Sequence, residues 1–187
     1  MPIANLIYSS TISDAWGGSD IDKIETSDND WASADTIGQE ASFQLTNLPS
    51  EASSINHVTA KMTGAYIELR GASATLTVTI ADQALSSYYN EDATLNETPA
   101  AYNLTQRTTS DGSAAWTPSV VNGIAIILKV AAASPNIGGG VHVDYFTLEV
   151  DYNVEPVSAP DPYDATSNNI IVKSGTIILD TGTVILR

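Results

Sequence analysis

One short segment of this chain carries the residue types of a hydrolase. Leu179-Asp180-Thr181-Gly182-Thr183, preceded by Ile177 and Ile178, matches the apolar-Asp-Thr-Gly pattern with which aspartic proteases place a carboxylate. That chemistry needs two aspartates sharing a proton, one from each lobe or subunit. Too few residues follow Asp180 to build the rest of a lobe. The same residues also fall in register with a repeat, in which Asp180 takes the column held by Lys173 and Arg187. A layer of charges accounts for the aspartate, and no catalytic residue is expected.

Other chemistry-bearing residues are scattered. Between residues 14 and 40 stand Asp14, Asp20, Asp22, Glu25, Asp28, Asp30, Asp35 and Glu40, against Lys23 alone. Oxygen-rich loops of this kind hold calcium. Asp20, Asp22, Asp28 and Asp30 have the alternate spacing of metal ligands, but the glycine and terminal glutamate of an EF-hand loop are missing. A solvated acidic face is the commoner explanation, so no metal and no cofactor are expected. His57 and His142 stand at strand starts without a GxSxG or HExxH context. Gly138–Gly140 lacks the lysine of a phosphate loop and reads as a turn. Trp16, Trp31 and Trp116, with Tyr88 and Tyr89, could form a sugar-stacking platform. Their spread over three regions favours core or interface roles. Asn96-Glu97-Thr98 and Asn103-Leu104-Thr105 fit the glycosylation acceptor pattern, but with no secretory signal expected the matches carry no weight.

Composition narrows the function classes. The 187 residues include 22 acidic and 7 basic ones, for a net charge of −15. Phosphate recognition needs Lys and Arg that are scarce here, so no nucleic-acid partner is expected. Hydrophobic residues reach 43%, enough for a core. The absence of cysteine excludes disulfide scaffolds, thiol catalysis and thiolate metal sites. The start, MPIANLIYSS, has neither the basic nor the long apolar part of a secretory signal, and none is expected. No apolar run approaches the ~20 residues of a membrane-spanning helix, so no membrane partner is expected.

The elements that must position any site read as β-strands. Ala41–Leu48, Val58–Arg70, Ala74–Ile80 and His142–Val154 alternate with period 2, and Gly64 marks a bulge or bend in the second. Gly123–Ala131 is a continuous apolar run, as suits a central strand covered on both faces. Asp82–Asn90 could form a short helix, and the longest loops fall near Ala84–Ala101 and Ala133–Gly140. About eight strands with turn signals between them predict an all-β fold over residues 1–154, an antiparallel two-sheet sandwich of jelly-roll type.

After Val154 the texture changes. Residues 155–166 form a linker with Pro156, Pro160 and Pro162, extended and semi-rigid. Residues 167–187 divide into three heptapeptides, SNNIIVK, SGTIILD and TGTVILR, whose columns match in all but the last position. Each is a turn followed by a short β-rich run, apolar on both faces. Two arrangements are open. The three runs could form a meander packed on the chain's own domain. Alternatively, three chains could wind together and share one core, because repeats that cannot bury their apolar faces alone stack on neighbours. The second is preferred, and predicts a homotrimer with Ile170, Ile171, Val172, Ile177, Ile178, Leu179, Val184, Ile185 and Leu186 at the interface.

Three features carry a resemblance. The segment Trp16-Gly17-Gly18-Ser19-Asp20-Ile21-Asp22 precedes the acidic Asp28-Asn29-Asp30 turn. Trp116-Thr117-Pro118 precedes an apolar strand, and Phe146–Tyr152 ends the domain. In this pattern the first 153 residues resemble tailed-bacteriophage structural proteins with jelly-roll or lectin-like sandwiches, while the heptads resemble trimeric stalks of viral fibres. The resemblance implies a non-enzymatic virion protein, on the capsid surface or an appendage, partnered by itself and by the major capsid protein or another virion component. A trimeric decoration or cement protein is the first expectation. The alternative is a tail or head fibre touching host glycans, or a carbohydrate-binding module. A surface cluster of Trp and Tyr beside a polar groove would favour that alternative.

Overall fold

The computed structural model describes residues 2–16, 21–68, 71–134 and 140–155, which belong to one unit, Met1–Glu155. Ten strands make up most of it: β1 (Ile3–Asp14), β2 (Ala32–Ala34), β3 (Glu40–Leu45), β4 (Ala52–Ile67), β5 (Ser73–Asp82), β6 (Ser87–Leu95), β7 (Ala100–Asn103), β8 (Ile124–Ser134), β9 (Val141–Val143) and β10 (Tyr145–Val154). Helix among the described residues is limited to a 3₁₀ turn, Ile21–Glu25, and one turn of α-helix, α1 (Pro118–Asn122). The linker and the heptads, with all nine proposed interface residues, lie outside the described residues.

Four antiparallel pairings give the topology. β1 pairs with β10, β3 with β8, β4 with β7 and β5 with β6. The chain therefore runs as one long double strand folded back between β5 and β6. Rolling it up adds the pairings of β10 with β4 and β8 with β5. The result is two four-stranded orders, β1-β10-β4-β7 and β3-β8-β5-β6, which is the jelly-roll winding of an antiparallel sandwich. β1 belongs to both sheets. Its first half, Ile3–Ile7, pairs with β10, and Tyr8–Asp14 turns to pair with β3 through two register shifts. Bulges are how strands change sheets at a sandwich corner.

The inward faces follow the alternation read from the sequence. On β5, Ala74, Leu76, Val78 and Ile80 are buried while Thr75, Thr77 and Thr79 are half-exposed. On β10, Phe146, Leu148, Val150 and Tyr152 are buried, and so are Thr147 and Asp151 of the opposite face, so the alternation there is one of residue type more than of exposure. Phe43 of β3 meets Phe146 edge-to-face across the sandwich, ring centroids 5.5 Å apart at 80°. Burying each such side chain stabilises the fold by about 1.5–3 kcal/mol relative to exposure. β8 lies between β3 and β5, but it is covered on both faces only at its start, where Ile124, Ala125 and Ile126 are all buried. Beyond them Leu128 and Val130 face the core and Lys129 and Ala131 are exposed, which corrects the expectation of a doubly covered run.

Two local expectations are corrected. Asp82–Asn90 is not helical: the Asp82 carboxylate accepts the backbone N–H groups of Ala84 and Ser86, both at 2.9 Å, and closes a turn into β6. The span 84–101 accordingly holds β6 and the start of β7, joined by residues 96–99, rather than one long loop. The run from His142 to Val154 is also interrupted. Asp144 separates β9 from β10, is 4% exposed, and accepts the Ser27 hydroxyl (2.9 Å) and the Asn29 N–H (2.8 Å).

Gly64 is required opposite that aspartate. It lies at φ +66°, within the register shift between Met62 and Ala65 of β4, and a Cβ there would stand 2.6 Å from Asp144 Cβ. Gly38 provides the control, with φ +92° and nothing within 4 Å of an added Cβ. Gly64→Ala is expected to cost about 1–3 kcal/mol in urea denaturation, and more than Gly38→Ala. Equal losses would mean that backbone conformation alone, and not the contact with Asp144, fixes the glycine.

Candidate functional site

The aromatic residues sort into buried and surface-facing groups. Trp16 is fully buried and Trp116 is 2% exposed, so both are core residues. Trp116 donates its indole N–H to the Arg107 carbonyl at 3.1 Å. Tyr88 and Tyr89 both lean on it, with centroids at 5.7 Å and 6.4 Å. Successive strand residues ordinarily point to opposite faces. Here the β5–β6 register passes from Ile80 opposite Tyr89 to Ala81 opposite Ser87. Tyr88 is the extra residue of a bulge, and bulges re-aim side chains.

Tyr88 thereby forms one wall of a groove of about 380 Å³, completed by Asp82, Gln83 and Ala84 of the β5–β6 turn and by Ser119, Val120 and Gly123. Each side is held from behind. Thr117 caps α1, its hydroxyl accepting the Val120 N–H at 3.2 Å, with Pro118 supplying a pre-set φ at the first turn. The Asn122 side chain accepts the Leu48 N–H at 2.8 Å and ties α1 to the domain. On the turn, Leu85 takes φ +63°, a left-handed conformation uncommon for a residue with a branched side chain.

Trp31 belongs to a second cluster, on the small sheet of β2, β9 and the end of β4. Tyr66 stacks on His142 with centroids at 4.8 Å and 19° between planes, and Trp31 meets both edge-on. His142 Nδ1 lies 2.8 Å from the Ser33 hydroxyl, and Nε2 lies 3.4 Å from Glu68 without a hydrogen bond. Gly140 lets these groups converge, since a Cβ there would stand 3.0 Å from Asp35 and 3.1 Å from His142 Nε2. The Ser33–His142–Glu68 line has the components of an activated hydroxyl, but a nucleophile also needs donors for the developing oxyanion. The stacked Tyr66–His142 pair shares no residue with the groove beside Tyr88. His57, on β4, approaches the buried Asp151 at 3.9 Å.

The acidic region does not assemble a metal centre among the described residues, where no three His, Asp or Glu side chains converge. Asp28 accepts the Asp30 N–H and the Thr26 hydroxyl, both at 3.0 Å, and Asp30 faces Lys23 at 3.4 Å. Asp22 is exposed, and Asp20 lies outside the described residues. Asp180, assigned above to a layer of charges, also lies outside them. Tyr66, Ser33 and Gln83 escaped sequence reasoning, because a lone polar or aromatic residue in a strand or turn carries no spacing signal.

Burial first, and the Glu68 charge second, hold the Tyr66 phenol above its ordinary value of 10.0. Because the folded value is raised, the stabilisation it reflects is present below pH 10.0 and is lost as pH climbs through the folded value. Tyr66→Phe should therefore remove a phenolate transition above pH 10.0 from an ultraviolet titration. Glu68→Gln should lower that transition only part of the way; a complete return to 10.0 would make the charge the larger cause.

No protein-family model matches the sequence, and comparison with curated proteins finds no relative.

Proposed function

We propose that this chain is a non-enzymatic, particle-building protein: a virion component of the capsid-decoration or cement type, holding jelly-roll domains together as a homotrimer through residues 167–187. The observation that carries the reading is the threefold heptad, apolar on both faces of each short run. A strand segment of that kind needs cover on two sides, and copies of itself supply it with matched spacing. The jelly roll supports the reading by bringing the two ends of the domain together. β1 begins and β10 ends side by side, with the Tyr152 N–H donating to the Pro2 carbonyl at 3.2 Å. Ile3 and Val154, near that end, are 58% and 41% exposed, an apolar surface a partner could cover.

The charge of −15 suits a component that must stay dispersed until assembled, since like-charged copies repel. Apolar area shared by three chains would stabilise the assembly at roughly 25 cal/mol per Å², less the cost of association. Neighbouring capsomers tied across a symmetry axis would be its target.

Light scattering on the purified chain is expected to give three times the 19.7 kDa of one copy. Ile178→Asp, which places an unpaired charge in the shared core, is expected to yield folded monomers. A wild-type monomer at micromolar concentration would overturn the trimer. Loss of the jelly-roll fold in Ile178→Asp would instead favour a meander packed on its own domain.

A further inference from the structure

We propose that the groove between the β5–β6 turn and α1 binds a neutral saccharide, with a sugar ring stacked on Tyr88. The inference goes beyond particle building and stands whether or not the chain is trimeric. Three independent features converge on the groove. The first is the bulge, which turns Tyr88 out of the strand's alternation toward the opening while Trp116 braces its ring edge-on at 80°. An aromatic side chain held this way offers a rigid platform with little conformational freedom left to lose on binding.

The second is a set of hydrogen-bonding groups without partners. The Gln83 amide and the Ser119 and Tyr88 hydroxyls form no hydrogen bond among the described residues. Asp82 spends Oδ1 on two backbone N–H groups and leaves Oδ2 for a ligand. The third is strain at the rim, where Leu85 holds φ +63° in the turn that presents Gln83 and Ala84. Backbone strain of this kind concentrates where a surface must hold a particular shape.

Chemistry selects the ligand class. The groove is shallow and open to solvent, so a ligand seated there keeps one side hydrated. A wholly apolar ligand would leave the amide, hydroxyls and carboxylate facing it without partners. An anion would meet Asp82, the one charged residue lining the groove, on a chain of net charge −15. A pyranose matches what remains. Its C–H face packs on an aromatic ring, while adjacent hydroxyls donate to a carboxylate and exchange hydrogen bonds with an amide.

The test is nuclear magnetic resonance titration of the full-length chain with glucose, galactose, mannose and N-acetylglucosamine, and with sialyllactose and tetramethylammonium as charged probes. At least one neutral sugar is expected to shift the Tyr88, Gln83 and Ser119 resonances. Tyr88→Ala is expected to weaken that binding about tenfold, the effect of removing an aromatic anchor. Tyr88 also packs on Trp116, so Gln83→Ala, at an exposed position, serves as the second variant and is expected to weaken binding with unchanged melting. Saturation by tetramethylammonium or sialyllactose in preference to every neutral sugar would overturn the proposal. Silence of the groove toward all four neutral sugars, or binding unaffected by both substitutions, would do so equally.

Discussion

Pairing of the first strand with the last constrains the rest of the domain. β1 contributes five residues to the ladder with β10 and then crosses to β3, so one strand borders both sheets. Without it the first sheet loses an edge and the second loses its link to the first. Bringing together residues this far apart in sequence costs loop-closure entropy. Winding of this kind rests on non-local contacts and is intrinsically slow to form. The apolar faces, locked by Phe43 against Phe146, stabilise that arrangement once it has formed.

Much of this was legible in the chain because burial writes a period into a strand. β5 shows one face to the core, and its alternating residues announced it. The apolar residues of β3 and β10 alternate too, although Ser42, Thr147 and Asp151 on their other faces are also buried. β8 announced itself differently, by an unbroken apolar run. β1 gave no comparable signal. It changes sheets midway, two register shifts break its alternation, and its last residues are mostly exposed. β6 was hidden for another reason. It is an edge strand, SYYNEDATL, polar along much of its length and charged at Glu91 and Asp92, as edges that avoid further pairing tend to be. The segment from Asp82 is a turn into a strand and not a helix because the Asp82 carboxylate takes the N–H groups of Ala84 and Ser86.

The candidate site was legible only in its parts. Tyr88 and Trp116 stood out as aromatic residues, but a bulge is invisible to a period-2 reading, and it alone explains why Tyr88 and Tyr89 reach the same tryptophan. Gln83 and Ser119 come to Tyr88 from a turn and a single helical turn far apart in sequence. The acidic residues illustrate the opposite case. Their spacing suggested ligands, whereas Asp28 closes a local turn and Asp144, outside the acidic run, holds the loop through Ser27 and Asn29.

In the function proposed above, the domain would supply a surface and the terminal repeats a way of multiplying it. Hydrogen exchange on the full-length chain at a series of concentrations tests that division most directly. Amides of residues 167–187 should be protected in concentrated solution and exchange freely on dilution, while those of β4 and β10 stay protected throughout. Protection of the repeats that is independent of concentration would mean that the chain covers them by itself, and would contradict the account.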